Sequence, residues 1–279
     1  MEYKQYMKYK NEEHIFRENE VDGVLYLTYP MLEKTNMVKH GFSTRLGGVS
    51  KDIYSSMNLS FTRGDDEEAV RENYRRMARA LGVEDKTLVK AAQTHTTCVH
   101  KVTKENQDQV LQDIDGLITN EKDVCLVTTY ADCVPLFFVD PVHQAIGLSH
   151  SGWRGTVGKI GAETLRCMKE AYGTEPSDVV AAIGPSICQD CYEVSEDVIA
   201  QFKEAFDEKH WDALFYLKEN GKYQLNLWKA NEIILLEAGV LPENLAVTNV
   251  CTCCNSGLLF SHRASKGERG GLAAFLALR

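Results

Sequence analysis

The sequence predicts a single mixed α/β domain. Three observations carry this. Short apolar, β-branched runs of strand length alternate with longer segments whose apolar residues recur at helical spacing. The 279 residues are 44% hydrophobic, enough for a substantial core. No internal repeat, low-complexity segment or composition break marks a linker, so residues 1–279 read as one domain.

In chain order, residues 1–30 give a polar lead-in and then a first strand in VLYLTYP. The loop HGFSTRLGGVS follows, in which Gly47-Gly48 forces a turn just after Arg45. Arg45 is either a fork for a phosphate or carboxylate or a solvated turn arginine. Asp65-Asp66-Glu67-Glu68 opens a helix that reaches about Leu81. Acid suits its first turn, and Gly82 stops it. Val70, Tyr74, Met77 and Leu81 form its core face. Leu88 to Ala92 is a strand ending at Gln93-Thr94-His95, Val99 to Val102 resumes it, and DIDGLITN holds a further short strand after an Asp-Gly turn.

The organising stretch is Thr128 to Gly155. Val124 to Thr129 is a buried strand, broken by Ala131-Asp132-Cys133 and resumed from Val134 to Val139. Asp140-Pro141 ends it. His143 to Ser149 makes a third strand. His150-Ser151-Gly152-Trp153-Arg154-Gly155 then leads into a helix over residues 155–172. Beyond it come a strand in VVAAI, a helix capped by Ser195 and a hairpin turning at Asn220-Gly221. A helix from Leu227 to Ala238 and a strand from Ala246 to Val250 follow, and the chain ends on an apolar segment.

Bulk properties exclude several function classes. The net charge is −9 and no basic block exists, which argues against nucleic acid as a partner. No apolar run approaches the ~18 residues that span a bilayer. MEYKQYMKYKNEEHIF carries no apolar core of a signal peptide. A cytoplasmic protein is expected, free of membrane, with most of its nine cysteines reduced.

Three side chains fit metal-ligand logic. His95, Cys133 and His150 each follow an apolar strand at a turn-like break, and three N/S ligands with an open fourth position are the pattern of a catalytic zinc. They lie too far apart in sequence to form a local finger, so two structural histidines and a buried thiol are the competing reading. Cys188-x-x-Cys191 and Cys251-x-Cys253-Cys254 together suggest a four-thiolate structural zinc. Their spacing, however, does not read as the usual pair of C-x2-C knuckles, and buried free thiols are the alternative. Gly152, Arg154, Gly155 and Gly158 bracket a helix start that would hold an anion, or else serve packing under Trp153.

With QTH, TTYADCVPLFFVD, SHSGWRG, IGPSICQDCYEV and CTCCNSGLLFSHR…GERGGLAAFLAL in this order, the chain resembles the laccase-domain family. This is the YlmD/YfiH group of polyphenol oxidoreductase proteins, related to FAMIN in animals, and the likeness is to its bacterial YlmD-type members. It runs from about Gly41 to the end. It implies a single α+β domain of layered mixed β-sheets with outer helices, similar to a toxin deamidase fold. It places the family's metal triad on His95, Cys133 and His150, with Zn2+ as cofactor and Cu2+ as the alternative. The implied activity is phosphorolysis of the purine nucleosides adenosine, inosine and methylthioadenosine, with adenosine deamination. Copper-dependent phenol oxidation is the older family label, and peptidoglycan-precursor editing belongs to the YfiH branch. The family often has Gly after the first ligand, where this chain has Thr96, and His100 and His143 lie near the ligands in sequence.

The expected mechanism follows from these motifs. Phosphate held between Arg45 and Arg154 attacks ribose C1′, and the base leaves with N7 protonated or hydrogen-bonded. In deamination a metal-activated water attacks purine C6, with Asp132 as proton shuttle. The zinc nucleobase-deaminase signature is absent, so any deamination uses another geometry. Eight histidines and no His-x-His pair leave phenol oxidation a side activity at most. A second class is a cysteine hydrolase using Cys133 as nucleophile and His150 as base. A third is a non-catalytic binding protein. A monomer or a homodimer is expected.

Overall fold

The computed structural model describes residues 7–107, 109 and 111–279. Two large sheets pack face to face, with helices on both outer faces. The first sheet runs in the spatial order β1 (Arg17–Val21), β2 (Val24–Thr28), β3 (Val38–Ser43), β16 (Leu272–Leu278), β8 (Cys125–Tyr130), β4 (Leu88–Ala92), β6 (Leu111–Gln112). The second runs β15 (Leu245–Val247), β11 (Val180–Ile183), β9 (Val134–Asp140), β10 (Ala145–Ser151), β7 (Gly116–Thr119), β5 (Val99–Lys101). A small sheet of β12 (Glu193–Val194), β14 (Tyr223–Leu225) and β13 (Phe215–Leu217) flanks them. Parallel and antiparallel pairs mix in both large sheets. This is the α+β class with layered mixed sheets that the family resemblance implied.

Side-chain alternation along the strands explains the layers. On β9, Phe137 and Val139 face the core between the sheets, while Leu136 and Phe138 face the helical side. On β8, Leu126 joins the inter-sheet core, while Cys125 and Val127 turn outward under the helix Glu67–Leu81. That helix buries Val70, Tyr74 and Met77, as its spacing predicted. Asp66 caps it by accepting from the Glu68 N–H. The helices Ile160–Tyr172, Glu196–Ala205 and Leu227–Glu237 cover the other face.

Several boundaries differ from expectation. The third central strand spans Ala145–Ser151, so His150 lies within a strand instead of after one. The predicted helix over 155–172 is two helices, Trp153–Val157 and Ile160–Tyr172, because Lys159 takes a left-handed conformation at φ 58°. The Ser195 hydroxyl bonds the Asp197 carboxylate and not a backbone amide, although Ser195 does stand at the helix start. The strand expected over 246–250 is Leu245–Val247. Residues 1–6 of the predicted polar lead-in lie outside the described residues. The part that follows is not merely polar, since Met7 and Phe16 enter the inter-sheet core. No helix among the described residues is long and apolar enough to cross a membrane.

Candidate metal centre and active site

Strand register brings the predicted ligands together. β10 pairs antiparallel with β9 so that His150 lies opposite Pro135, two residues beyond Cys133. β10 also pairs with β7 so that Ser149 lies opposite Gly116, which puts Asp115 beside His150. The loop carrying His95 precedes β5, and β5 joins β7 with Val99 opposite Gly116. One end of the second sheet therefore collects His95, Asp115, Cys133 and His150. Three of them ride on chain segments that pass between the sheets: β4 to β5, β6 to β7 and β8 to β9.

The ligand atoms of His95, Cys133 and His150 lie within 4.8 Å of one another, and Cys133 Sγ is 3.8 Å from His95 Nε2. The rings of His95 and His150 meet edge to face at 4.9 Å. His95 and Asp132 are non-glycine residues with positive φ, 66° and 90°. Such conformations cost of order 1–3 kcal/mol and cluster at functional sites. Gly152 is required here by close approach, since a Cβ on it would stand 2.6 Å from His95 Cδ2 and 3.2 Å from Cys133 Sγ.

Asp115 organises the centre, and sequence reading missed it. Its fully buried carboxylate accepts from His150 Nδ1 at 2.8 Å and from the backbone N–H groups of Thr94, His95 and Thr96 at 3.2, 3.1 and 2.8 Å. The Thr96 hydroxyl adds a bond at 2.9 Å. Asp115 thus fixes the His95 loop and leaves His150 Nε2 free to face a metal, the usual support of a ligating imidazole. Thr96, the departure from the family pattern, serves this carboxylate. The only sequence signal for Asp115 was an acid directly before an apolar strand.

Burial alone would raise the Cys133 thiol, but the His150 charge, with hydrogen bonds from His150 and His95, brings it down to about 6. Burial disfavours charge on His150 as well, yet Cys133 and Asp115 raise it to about 9. Burial pushes the Asp115 carboxyl up, and the bonds from His150 and Thr96 more than reverse this, to about 2. Without metal, these opposed shifts favour a thiolate on Cys133 facing an imidazolium on His150. Zinc binding near neutral pH should therefore release about one proton, from His150 Nε2, because Cys133 has already lost its own. Affinity should rise with pH up to about 9 and fall more steeply below about 6, where Cys133 must also deprotonate. Calorimetry in buffers of different ionisation enthalpy measures this, and a release of zero protons would contradict the assigned charge states.

The donor set fits a single borderline-soft ion. Two imidazoles and one thiolate converge, one imidazole is held by a carboxylate, and the open side faces a cavity of about 130 Å3. Gln93, Tyr130, Arg63 and Arg269 line that cavity with the three ligands.

The other predicted site residues lie elsewhere. Arg45 donates from Nε to the Ser55 carbonyl at 2.9 Å and from Nη1 to the Ser256 carbonyl at 3.0 Å, and its guanidinium sits 4.5 Å from the Phe260 ring centre. It ties loops together and does not line the cavity. Arg154 is exposed, stacks on Trp153 at 4.3 Å and is also outside the cavity lining. Both Asp132 oxygens are engaged: Oδ1 accepts from the Thr252 hydroxyl at 2.6 Å and Oδ2 from the Arg263 N–H at 2.7 Å. That carboxylate braces the turn that presents Cys133. His100 and His143 are not among the clustered ligands. His143 Nδ1 bonds Asp140, and His100 contacts Asn106.

Comparison with known proteins matches residues 39–279 to the family described as multi-copper polyphenol oxidoreductase laccase. The chain belongs to this family. Among laccase-family relatives, it is 35% identical over 246 residues to a protein of Bacillus subtilis strain 168 named purine nucleoside phosphorylase YlmD, covering 86% of this chain and 88% of that one. It superposes on the crystal structure of YlmD from Geobacillus stearothermophilus with a TM-score of 0.87 at 34% identity, over 95% of this chain and 99% of that one. The crystal structure of a hypothetical protein YfiH from Bacillus licheniformis gives 0.88 at 32% identity, over 96% and 100%.

Proposed function

We propose that this laccase-family protein is a metal-dependent purine nucleoside phosphorylase. It converts adenosine, inosine or methylthioadenosine and phosphate to the free base and ribose 1-phosphate. The relatives' names support the class of reaction. The observation that carries the reading is a pair of arginines. Arg63 and Arg269 line the same cavity as His95, Cys133 and His150. Arg269 Nε is buried with no hydrogen-bond partner among the described residues. Burial and the charge of Arg63 lower the Arg269 guanidinium to about 10. Two like charges converging on a polar cavity are relieved by an anion, and phosphate matches the guanidinium fork.

In this mechanism Arg63 and Arg269 take the place first given to Arg45 and Arg154. They bind phosphate and direct one of its oxygens at ribose C1′. The C1′–N9 bond breaks as the new C1′–O bond forms, and the attacking dihydrogen phosphate supplies the proton that the base carries away on N7. A bound zinc, or copper, supplies Lewis acidity at the open position of the triad. Asp115 holds His95 and His150 in place, and Asp132 positions the Cys133 turn. Adenosine deamination and phenol oxidation are secondary activities in this reading.

With inosine as substrate, hypoxanthine and ribose 1-phosphate should form at a rate that saturates with phosphate. Arg269→Ala should raise the KM for phosphate roughly ten- to a hundredfold, the loss of a charge-assisted contact of ~1.5–3 kcal/mol. Base release at an unchanged rate without phosphate, with free ribose as co-product, would point to a nucleosidase instead.

One observation favours a second reading. Cys133, His150 and Asp115 form a thiolate, imidazolium and carboxylate chain, the arrangement of a cysteine hydrolase. Metal on Cys133 blocks that chemistry. Amide cleavage by metal-free protein, stopped by alkylating Cys133 and inhibited by zinc, would favour it. Peptidoglycan-precursor editing would fall under this reading.

A further inference from the structure

Away from the triad, four more cysteines converge. β11 and β15 are parallel neighbours, and their pairing continues past the strand ends through a bridge between Ser186 and Cys251. Ser186 N–H donates to the Val250 carbonyl at 3.4 Å and Thr252 N–H to the Ser186 carbonyl at 3.1 Å. The two loops that follow are thereby held side by side. One carries Cys188-x-x-Cys191 and the other Cys251-x-x-Cys254. The spacing is a matched pair of C-x2-C knuckles after all. The intervening Cys253 obscures it in the sequence; in the structure Cys253 neighbours Cys191 but stands outside the group of four converging sulfurs.

All four sulfurs lie within 4.8 Å of one another, and Cys191 Sγ is 3.5 Å from Cys254 Sγ. All four are free thiols. Sulfurs about 2.3 Å from a single zinc form a tetrahedron with edges of about 3.8 Å, which this spread brackets. Cys251 Sγ also accepts from the backbone N–H groups of Cys188 at 3.3 Å and Cys254 at 3.4 Å. Amides aimed at sulfur are the donors a charged thiolate wants, and a neutral thiol has little use for two. Cys188 and Cys251 are buried, and the other two half-buried, so the interior of the cluster is shielded.

We propose that Cys188, Cys191, Cys251 and Cys254 bind a second, structural zinc ion as a closed tetrathiolate site. This ion clamps the loop after β15 to the loop after β11. The clamped segment continues to Thr252, whose hydroxyl holds Asp132 one residue before Cys133. The structural site thus braces the turn that presents Cys133 without touching the cavity.

Protein made without added metal should carry about two zinc ions per chain. Cys133→Ala should retain about one, with four sulfurs at about 2.3 Å by X-ray absorption. In the wild type, native alkylation should label the exposed Cys98 and spare the four cluster cysteines. Adding a chelator should then speed their labelling on the order of tenfold or more. This labelling needs no variant, so it decides the question even if Cys191→Ser with Cys254→Ser fails to fold. If the triad holds no metal, wild type and Cys133→Ala should both carry one zinc, and this proposal stands while the functional reading falls. Labelling of the four at the same rate with and without chelator, iron in place of zinc, a disulfide among them, or no metal left in Cys133→Ala would each overturn it.

Discussion

Cys133→Ala should empty the triad of metal and abolish phosphorolysis while leaving the fold intact. Cys133 is the one thiolate of the set, and its charge offsets much of the charge of a divalent ion. A four-ligand structural zinc is held by about 10–16 kcal/mol, so one ligand accounts for roughly 3–4 kcal/mol, a several-hundredfold change in affinity. The side chain is small and only half-buried, so its removal leaves little cavity. The readout is zinc content together with base release from inosine. An unchanged zinc content would remove the triad as the metal centre.

The second large effect belongs to Asp115. Asp115→Ala deprives three backbone N–H groups, the Thr96 hydroxyl and the His150 ring of their shared acceptor. Leaving such a buried network unmatched costs about 3–5 kcal/mol, which lowers Tm by roughly 10 °C. Metal affinity should fall about 10- to 100-fold as well, because the His95 loop and the His150 ring lose their orientation. Thermal unfolding in chelator separates the first effect from the second, which zinc titration reads. A variant with wild-type Tm and wild-type affinity would show that the carboxylate is not the organiser.

What could be read in advance depended on how far apart the interacting residues lie. The helix Glu67–Leu81 and the strands β4, β8 and β9 carry their pattern locally, in periodicity and in flanking Gly, Asp and Pro, and their bounds emerge within a residue or two. The Asn220-Gly221 turn is equally local, and β13 and β14 do pair around it. His95, Cys133 and His150 stood out as candidates because the family motifs mark them beside apolar strands, and the structure brings their side chains together. Asp115 was not visible. Its partners sit around residues 94–96 and at His150, joined only by strand register. The placement of the arginines was hidden for the same reason. Arg45 and Arg154 stand beside glycine-rich motifs, yet one is used up on the Ser55 and Ser256 carbonyls and the other stacks on Trp153. Arg63 and Arg269 reach the cavity from loops distant in sequence; Arg269 stands in the motif GERGGLAAFLAL, beside Gly270-Gly271, and only the docking of β16 against β8 brings it to the triad.

The passage of the chain between the two sheets has a thermodynamic corollary. His95, Asp115 and Cys133 each stand on a different sheet-to-sheet crossing, so their mutual geometry exists only when the sheets are docked. An ion bound by the triad recognises the docked state and ignores any form in which the sheets have parted. Mass action then makes that ion a ligand for folding as much as for chemistry, adding about 2.7 kcal/mol to stability at a hundredfold excess over its Kd. Stripping it should speed amide hydrogen exchange first along the ends of β7, β9 and β10 that meet at the site, while β1 and β2, at the opposite edge of the first sheet from β8 and β4, keep theirs unchanged.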